Sequence, residues 1–569
     1  MSATTLPLDI LWKVFEAVPK TPCSSRSCNC VSSALEPKDE KLACTSFLRE
    51  LLALRLVCKD YSVVIKQLVF HTIALGFSNE SVTLSRSNEI RKLMDERNGD
   101  GGITIRECIR SVQWKLKDPK LEPSRAPDLE VIGAFDLPNL STLRLTSTSR
   151  ADANAIIEPF GEVSPMQTRP WSDDPTMLKF VTHYLSLNAL STISVNHFDN
   201  VPVHALLSNP SLHTLVLRGV TFAPLEEDPV LVNPSVGYNL RSLTSIGAKV
   251  HFLPLLRYLP KLRSLTIDMS IYDNALFPLI NGPDSNRNAE WRSQPPLVWD
   301  SLETLKFRGD LGTFHKMFKV EEASRAKKVL FPALIHLDIK DEPDTMPVAP
   351  GKDVYSSVAW LGDDKQDDAQ FSSLEMNRLK TLVLDQSSWY AKPDLFSGLS
   401  KMYKSPKSVL QYFHVQKRIK SLENMEIYIP RVDYVEKNPS LGPWVMGAYI
   451  TELCAEFDKI IPASMPLIER KSMNLRHITM GLHLTTRDGT LSDTRFEVVR
   501  RHLLLFEETA KQLLPRVECD FELCVRHRDS RVPLGWLNRS YESFKLGLSP
   551  SDMILQESLG LREASETSY

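Results

Sequence analysis

The sequence predicts an α/β solenoid, horseshoe-like and built from irregular repeats. Three observations predict it. A pattern of the form Leu-x-x-Leu-x-x-Leu-x-Leu recurs beyond residue 100, and its final apolar alternation puts every second side chain on one face of a short strand. Polar, proline-bearing excursions separate the copies, as loops do. Apolar stretches between copies, such as LKFVTHYLSL and FHKMF, are expected to run as return helices on the outer face.

Taken in chain order, residues 6–18 (LPLDILWKVFEAV) place Ile10, Leu11, Val14, Phe15 and Val18 at helical spacing, with Pro7 near the first position and Asp9 in the first turn. This predicts a short amphipathic helix. From 51 to 69, Leu54, Val57, Tyr61, Val64, Ile65 and Leu68 form a second, longer helical face. Between them a polar stretch with Pro19, Pro22 and a Ser/Cys-rich run reads as an inserted loop. Lengthening a short link about fourfold costs only about 1.2 kcal/mol of closure entropy, so the two helices can still pack together. Residues 1–75 are thus expected to form a helical segment interrupted by a cysteine-containing insertion at about 19–50.

The repeat array is expected over residues 100–525. Its clear copies are LPNLSTLRL (137–145), LNALSTISV (187–195), SLHTLVL (211–217), LPKLRSLTI (259–267), WDSLETLKF (299–307), FPALIHLDI (331–339), MNRLKTLVL (376–384), IKSLENMEI (419–427) and MNLRHITM (473–480). IRSVQW (109–114), NLRSL (239–243) and PRVECDF (515–521) are degenerate copies. From Leu143 through Ile193, Leu215, Leu243, Leu265, Leu305, Leu337, Leu382 and Met425 to Ile478 the steps are 50, 22, 28, 22, 40, 32, 45, 43 and 53 residues. Only some fit the roughly 20–29 residues of a standard leucine-rich repeat. The long steps contain GEVSPMQTRPWSDDP, NGPDSNRNAEWRSQPP and DEPDTMPVAPGKD, with the acidic GDDKQDD nearby. The reading is therefore an irregular leucine-rich-repeat solenoid carrying loop insertions. Toward the C-terminus, YITELCAEFDKII and RFEVVRRHLLLFEETAKQLL carry helical signals, and the second is placed to cap the array. Residues 526–569 form an extension expected to end in a partly disordered tail.

Composition bounds the function. Lys plus Arg number 68 and Asp plus Glu 70, a net charge of −2, so no overall field recruits nucleic acid or an anionic membrane, and neither is expected as a partner. The first residues lack a basic n-region followed by a continuous apolar stretch, and no later run approaches the roughly 18 apolar residues that span a bilayer. A cytoplasmic or nuclear protein is expected. The nine cysteines then read as reduced thiols, with Cys58, Cys108, Cys454, Cys519 and Cys524 acting as small hydrophobes.

The N-terminal strings resemble an F-box, in particular those of fungal F-box proteins. LPLDILWKVFEAV matches its first helix. LALRLVCKDY carries the more specific Leu-x-x-Val-Cys-Lys and following aromatic, with Tyr61 where tryptophan is more usual. The resemblance covers about 45 residues, and divergent leucine-rich arrays follow many such F-boxes. It implies the substrate-recruiting adaptor subunit of an SCF-type ubiquitin ligase: the F-box docks on the adaptor subunit, the adaptor binds the cullin, and the array holds an unknown protein substrate. The positions matching the motif, and so the implied adaptor-binding residues, are Leu6, Pro7, Ile10, Leu11, Phe15, Leu54, Val57, Cys58 and Tyr61. The chain departs from the family in the insertion of about 27 residues after the first helix, where a short link is usual.

On a repeat array the side chains between the apolar strand positions point to the concave surface, where partner contacts concentrate. This selects Arg144, Arg218, Asp268, Lys306, Arg308, Asp338, Lys340 and Asp385, a mixture of signs suited to a protein surface rather than a phosphate backbone. In the insertion Cys23, Cys28, Cys30 and Cys44 supply four thiols, but the paired Cys-x2-Cys knuckles of zinc sites are missing, so the loop is read as reduced with no metal or cofactor assigned. No Gly-x-Ser-x-Gly, Gly-x4-Gly-Lys-Ser/Thr, Gly-x-Gly-x-x-Gly or His-Glu-x-x-His motif occurs, and with 22 glycines phosphate-cradling loops have little to work with. His71, His336 and His477 sit inside apolar strings and read as structural. No catalytic residue is assigned and no enzyme is expected. The competing readings are a repeat scaffold without a ligase role and an enzyme whose residues converge only in space.

Overall fold

The computed structural model describes residues 70–75, 92, 94–95, 103–117, 136–148, 169–223, 238–247, 256, 258–269, 296–309, 314, 317–319, 323, 326, 328–341, 377–385, 390–391, 421–428, 431–433, 474–486, 508, 512, 515–527 and 543–545. The chain divides into two compact units, Met1–Leu240 and Arg241–Tyr569.

The first unit holds β1 (Thr72–Leu75), β2 (Ser111–Lys117), β3 (Thr142–Thr148), β4 (Arg169–Pro170), β5 (Thr192–Asn196), β6 (Phe198–Asp199) and β7 (Thr214–Arg218). β1, β2, β3, β5 and β7 pair in that order, all parallel, and β4 and β6 make a separate short parallel pair. The register aligns the motif with itself: Ile73, Val112, Leu143, Ile193 and Leu215 stand in one row, and Trp114, Leu145, Val195 and Leu217 in another. From Val112 onward these side chains are almost wholly buried, each contributing about 1.5–3 kcal/mol of apolar burial.

The second unit holds β8 (Ser242–Ile246), β9 (Ser264–Asp268), β10 (Thr304–Gly309), β11 (His336–Asp341), β12 (Thr381–Asp385), β13 (Tyr390–Ala391), β14 (Asn424–Tyr428), β15 (Arg431–Asp433), β16 (His477–Thr486), β17 (Glu518–His527) and β18 (Ser543–Lys545). β8 to β12, then β14, β16 and β17, pair successively and in parallel. β13 pairs β15 and β15 pairs β16, while β18 runs antiparallel to β17. Leu243, Leu265, Leu305, Leu337, Leu382, Met425 and Ile478 share one row and are buried. Every expected copy, clear or degenerate, thus contributes a strand.

The motif's first half makes a tight turn ahead of the strand. Leu140 N–H donates to the Leu137 carbonyl, Leu262 to Leu259, Leu302 to Trp299 and Leu334 to Phe331. The chain then enters the sheet by a shared acceptor: one carbonyl of the preceding repeat takes two successive N–H groups of the next. Arg110 O accepts from Ser141 and Thr142, Ser141 O from Ser191 and Thr192, and Ser191 O from His213 and Thr214. In the second unit Arg263, Glu303, Ile335, Lys380 and Glu423 play the same part at 2.8–3.1 Å. Two donors at each strand entrance are satisfied by one oxygen with two lone pairs, so the register is set at that point.

Parallel neighbours need crossovers. Among the described residues these include α1 (Ile105–Cys108), α2 (Pro175–Ser186) and α3 (Val203–Leu207). The LKFVTHYLSL stretch forms the body of α2, as expected. Asp174 caps it by accepting from Met177 N–H at 2.9 Å, Pro175 occupies its first turn, and Met177, Phe180, Val181 and Tyr184 are buried. Phe180 meets Trp114 edge-on at 5.7 Å. In FHKMF, Phe314, Met317 and Phe318 are helical and buried; Phe314 meets Phe307 edge-on and packs tilted against Phe318, and Phe318 meets Phe331 edge-on. Among the described residues no helix is long and apolar enough to cross a membrane.

Two boundaries differ from expectation. Residues 72–75, expected within the helical segment, form β1: Thr72 and Ile73 are β-branched, and the His71 carbonyl accepts from both Arg110 and Ser111, so the repeat geometry begins there rather than at 100. At the other end β17 extends to His527 and β18 lies within the C-terminal extension. The nine expected adaptor-binding residues and Cys23, Cys28, Cys30 and Cys44 lie outside the described residues.

Candidate partner-binding face

Strand alternation sends the apolar rows inward and the intervening side chains to the opposite face. In the second unit this brings six of the expected partner-binding residues together in two rows. Asp268, Arg308, Lys340 and Asp385 occupy successive strands in exact register, and Lys306 stands opposite Asp338 two residues earlier. The charges engage one another. Arg308 Nη1 lies 3.4 Å from Asp268 Oδ2, Lys340 Nζ 3.3 Å from Asp385 Oδ2, and Lys306 Nζ 4.0 Å from Asp338 Oδ2. The Arg308, Asp268, Lys340 and Asp385 side chains are about four-fifths buried, so these ion pairs are shielded from much of the solvent that weakens surface pairs.

Burial sets the protonation tendencies at the centre of this face. It raises the Asp338 carboxyl above the usual carboxylate range; Lys306 and His336 pull it back down, and Asp385 pushes it up. It lowers the His336 imidazole, against the pull of Asp338. The row then continues beyond the expected residues: Glu426 lies in register beyond Val383 and accepts from Tyr428 Oη at 3.4 Å. Applying the strand-position rule to IKSLENMEI would have found Glu426. At the strand entrances a further row is exposed, where Lys380 Nζ lies 3.0 Å from Glu423, whose carboxyl is held down chiefly by that hydrogen bond.

No family model and no curated protein matches the chain. The site therefore stands on its own geometry.

The remaining two expected residues lie in the first unit. Arg144 is central in β3, between Gln113 and Ser194, and Arg218 ends β7 opposite Asn196. Lys115, Thr146, Asn196 and Arg218 share one row. Asn196 Nδ2 donates to Thr146 Oγ1 at 3.0 Å. Sequence reasoning missed Lys115 and Asn196, which lie past the last residue of the copies IRSVQW and LNALSTISV.

The expected structural histidines have these settings. His71 Nδ1 lies 3.3 Å from Thr72 Oγ1, and His477 Nε2 lies 3.0 Å from Thr479 Oγ1. Cys108 is buried with its thiol on the Thr104 carbonyl, the small hydrophobe expected of it. Among the described residues no three His, Cys, Asp or Glu side chains gather as a metal site would require. The arrangement offers fixed charge and hydrogen-bonding capacity on a rigid strand frame, which suits binding.

Proposed function

We propose that the chain is the substrate-recruiting adaptor subunit of an SCF-type ubiquitin ligase. The N-terminal segment binds the ligase's adaptor subunit, and through it the cullin; the two strand arrays act as an irregular, horseshoe-like leucine-rich-repeat solenoid that holds a protein target. The observation carrying the binding half is the pair of in-register charge rows on the face opposite the buried leucines, from Asp268 to Asp385 and from Lys306 to Asp338. A polar face on stacked strands is a recognition surface, since each repeat presents side chains at a fixed spacing of about 4.8 Å. The ligase half is supported by LALRLVCKDY and LPLDILWKVF. In this reading the chain is cytoplasmic or nuclear and performs no chemistry itself.

The test is a pull-down of purified adaptor subunit by the intact chain and by a Leu11→Asp, Val57→Asp double variant, with circular dichroism verifying the fold. Capture by the intact chain, lost in the folded variant, is the expected result. Absence of capture by the intact chain removes the ligase half and leaves a repeat scaffold.

A further inference from the structure

The two units differ in the charge of their strand faces. β8 to β17 carry Asp268, Asp338, Asp385 and Glu426 among their basic residues, whereas β1, β2, β3, β5 and β7 contain no Asp or Glu at all. On the polar face of the first unit these strands place Lys115, Arg144 and Arg218 amid hydroxyl and amide side chains. Each of the three cations also has a polar or electrostatic neighbour within the chain. What distinguishes the face is the sign of what its strands supply.

Lys115 and Arg218 lie in one row across four adjacent strands, about 14 Å apart, with Arg144 between them and two residues back along β3. An extended peptide of about four residues covers that distance. Asn196 lies between the two ends of the row. One end of its amide is bonded to Thr146, and the other, Oδ1, is buried with no partner. Base stacking, which strengthens the binding of single-stranded nucleic acid, has no platform among the described residues of these strands: Trp114 is their aromatic residue, and it is buried on the other face.

We propose that the Lys115, Arg144, Asn196 and Arg218 face binds an extended acidic peptide segment of the target protein. This rests on the reading of the arrays as a target-binding surface and adds the chemical class of the target.

The experiment is fluorescence anisotropy of the full chain with labelled decaglutamate, decalysine and oligouridylate. Decaglutamate is expected to bind, with decalysine and oligouridylate weaker, and binding falls as salt rises. Lys115→Glu with Arg144→Glu weakens it about tenfold or more while far-ultraviolet circular dichroism is unchanged; Lys328→Glu, at an exposed position ahead of β11, changes it less than about twofold. Should the double variant misfold, the single Lys115→Gln is expected to weaken binding about threefold. Failure to bind decaglutamate, equal binding by the folded variant, an equal loss in Lys328→Glu, or tighter binding of oligouridylate overturns the proposal. None of these outcomes bears on adaptor capture, so the ligase reading stands or falls separately.

Discussion

Tyr184 shows how one oxygen ties a helix to the turn that begins a strand. Its hydroxyl accepts from Leu137 N–H at 3.0 Å, while its ring packs on Phe180 at 4.9 Å. Tyr184→Phe keeps the ring and leaves the Leu137 donor buried without its acceptor, a loss of about 1–3 kcal/mol, read as a lower urea midpoint. The phenol's pKa is pushed up from 10.0 to about 12, first by burial, with the Leu137 hydrogen bond opposing. Above pH 10 the unfolded chain therefore ionises first, and this contribution to stability drains away as pH rises toward 12. The Phe variant is expected to lack that part of the alkaline loss. None of this was legible in LKFVTHYLSL, because a hydroxyl's partner 47 residues away is a tertiary fact. The ion pairs lay closer to the surface of the sequence. Once Leu265 and Leu305 are set side by side, Asp268 faces Arg308 by counting, yet whether two side chains turn toward each other or toward solvent depends on the packing around them.

At the scale of elements, α2 rests on its first turn. Asp174 both caps the helix and lies 3.4 Å from the Arg169 guanidinium, and both side chains are more than nine-tenths buried. Asp174→Ala removes cap and counter-charge together, with an expected loss of about 3–5 kcal/mol in thermal unfolding. Asp174→Asn retains a capping oxygen and is expected to lose about 1 kcal/mol less. The strands were legible because their signal is local: a turn-forming first half and an alternating second half fall within nine residues, as in LPKLRSLTI. β1 was not, since TIAL has too few residues to show a period and follows a helical pattern without a break. The pair β4 and β6, two residues each, lies below what any periodicity resolves.

Across the second unit each main-path strand bonds only to those beside it, so damage should spread by adjacency. Phe307, packed on Phe314 at 5.1 Å, tests this. Phe307→Ala is expected to cost about 3–5 kcal/mol and to lower hydrogen-exchange protection most in β9, β10 and β11, with β16 and β17 less affected; uniform loss would mean that the unit unfolds as one block. The shared carbonyls add a direction to this adjacency. At the shared entrances the two donors belong to the later repeat and the acceptor to the earlier one, whereas at strand exits the later repeat accepts, as Arg218 O does from His197 N–H, Asp268 O from Gly247 and Arg308 O from Met269. A chain leaving the ribosome therefore meets its entrance acceptors already made, while its exit donors wait for the repeat that follows.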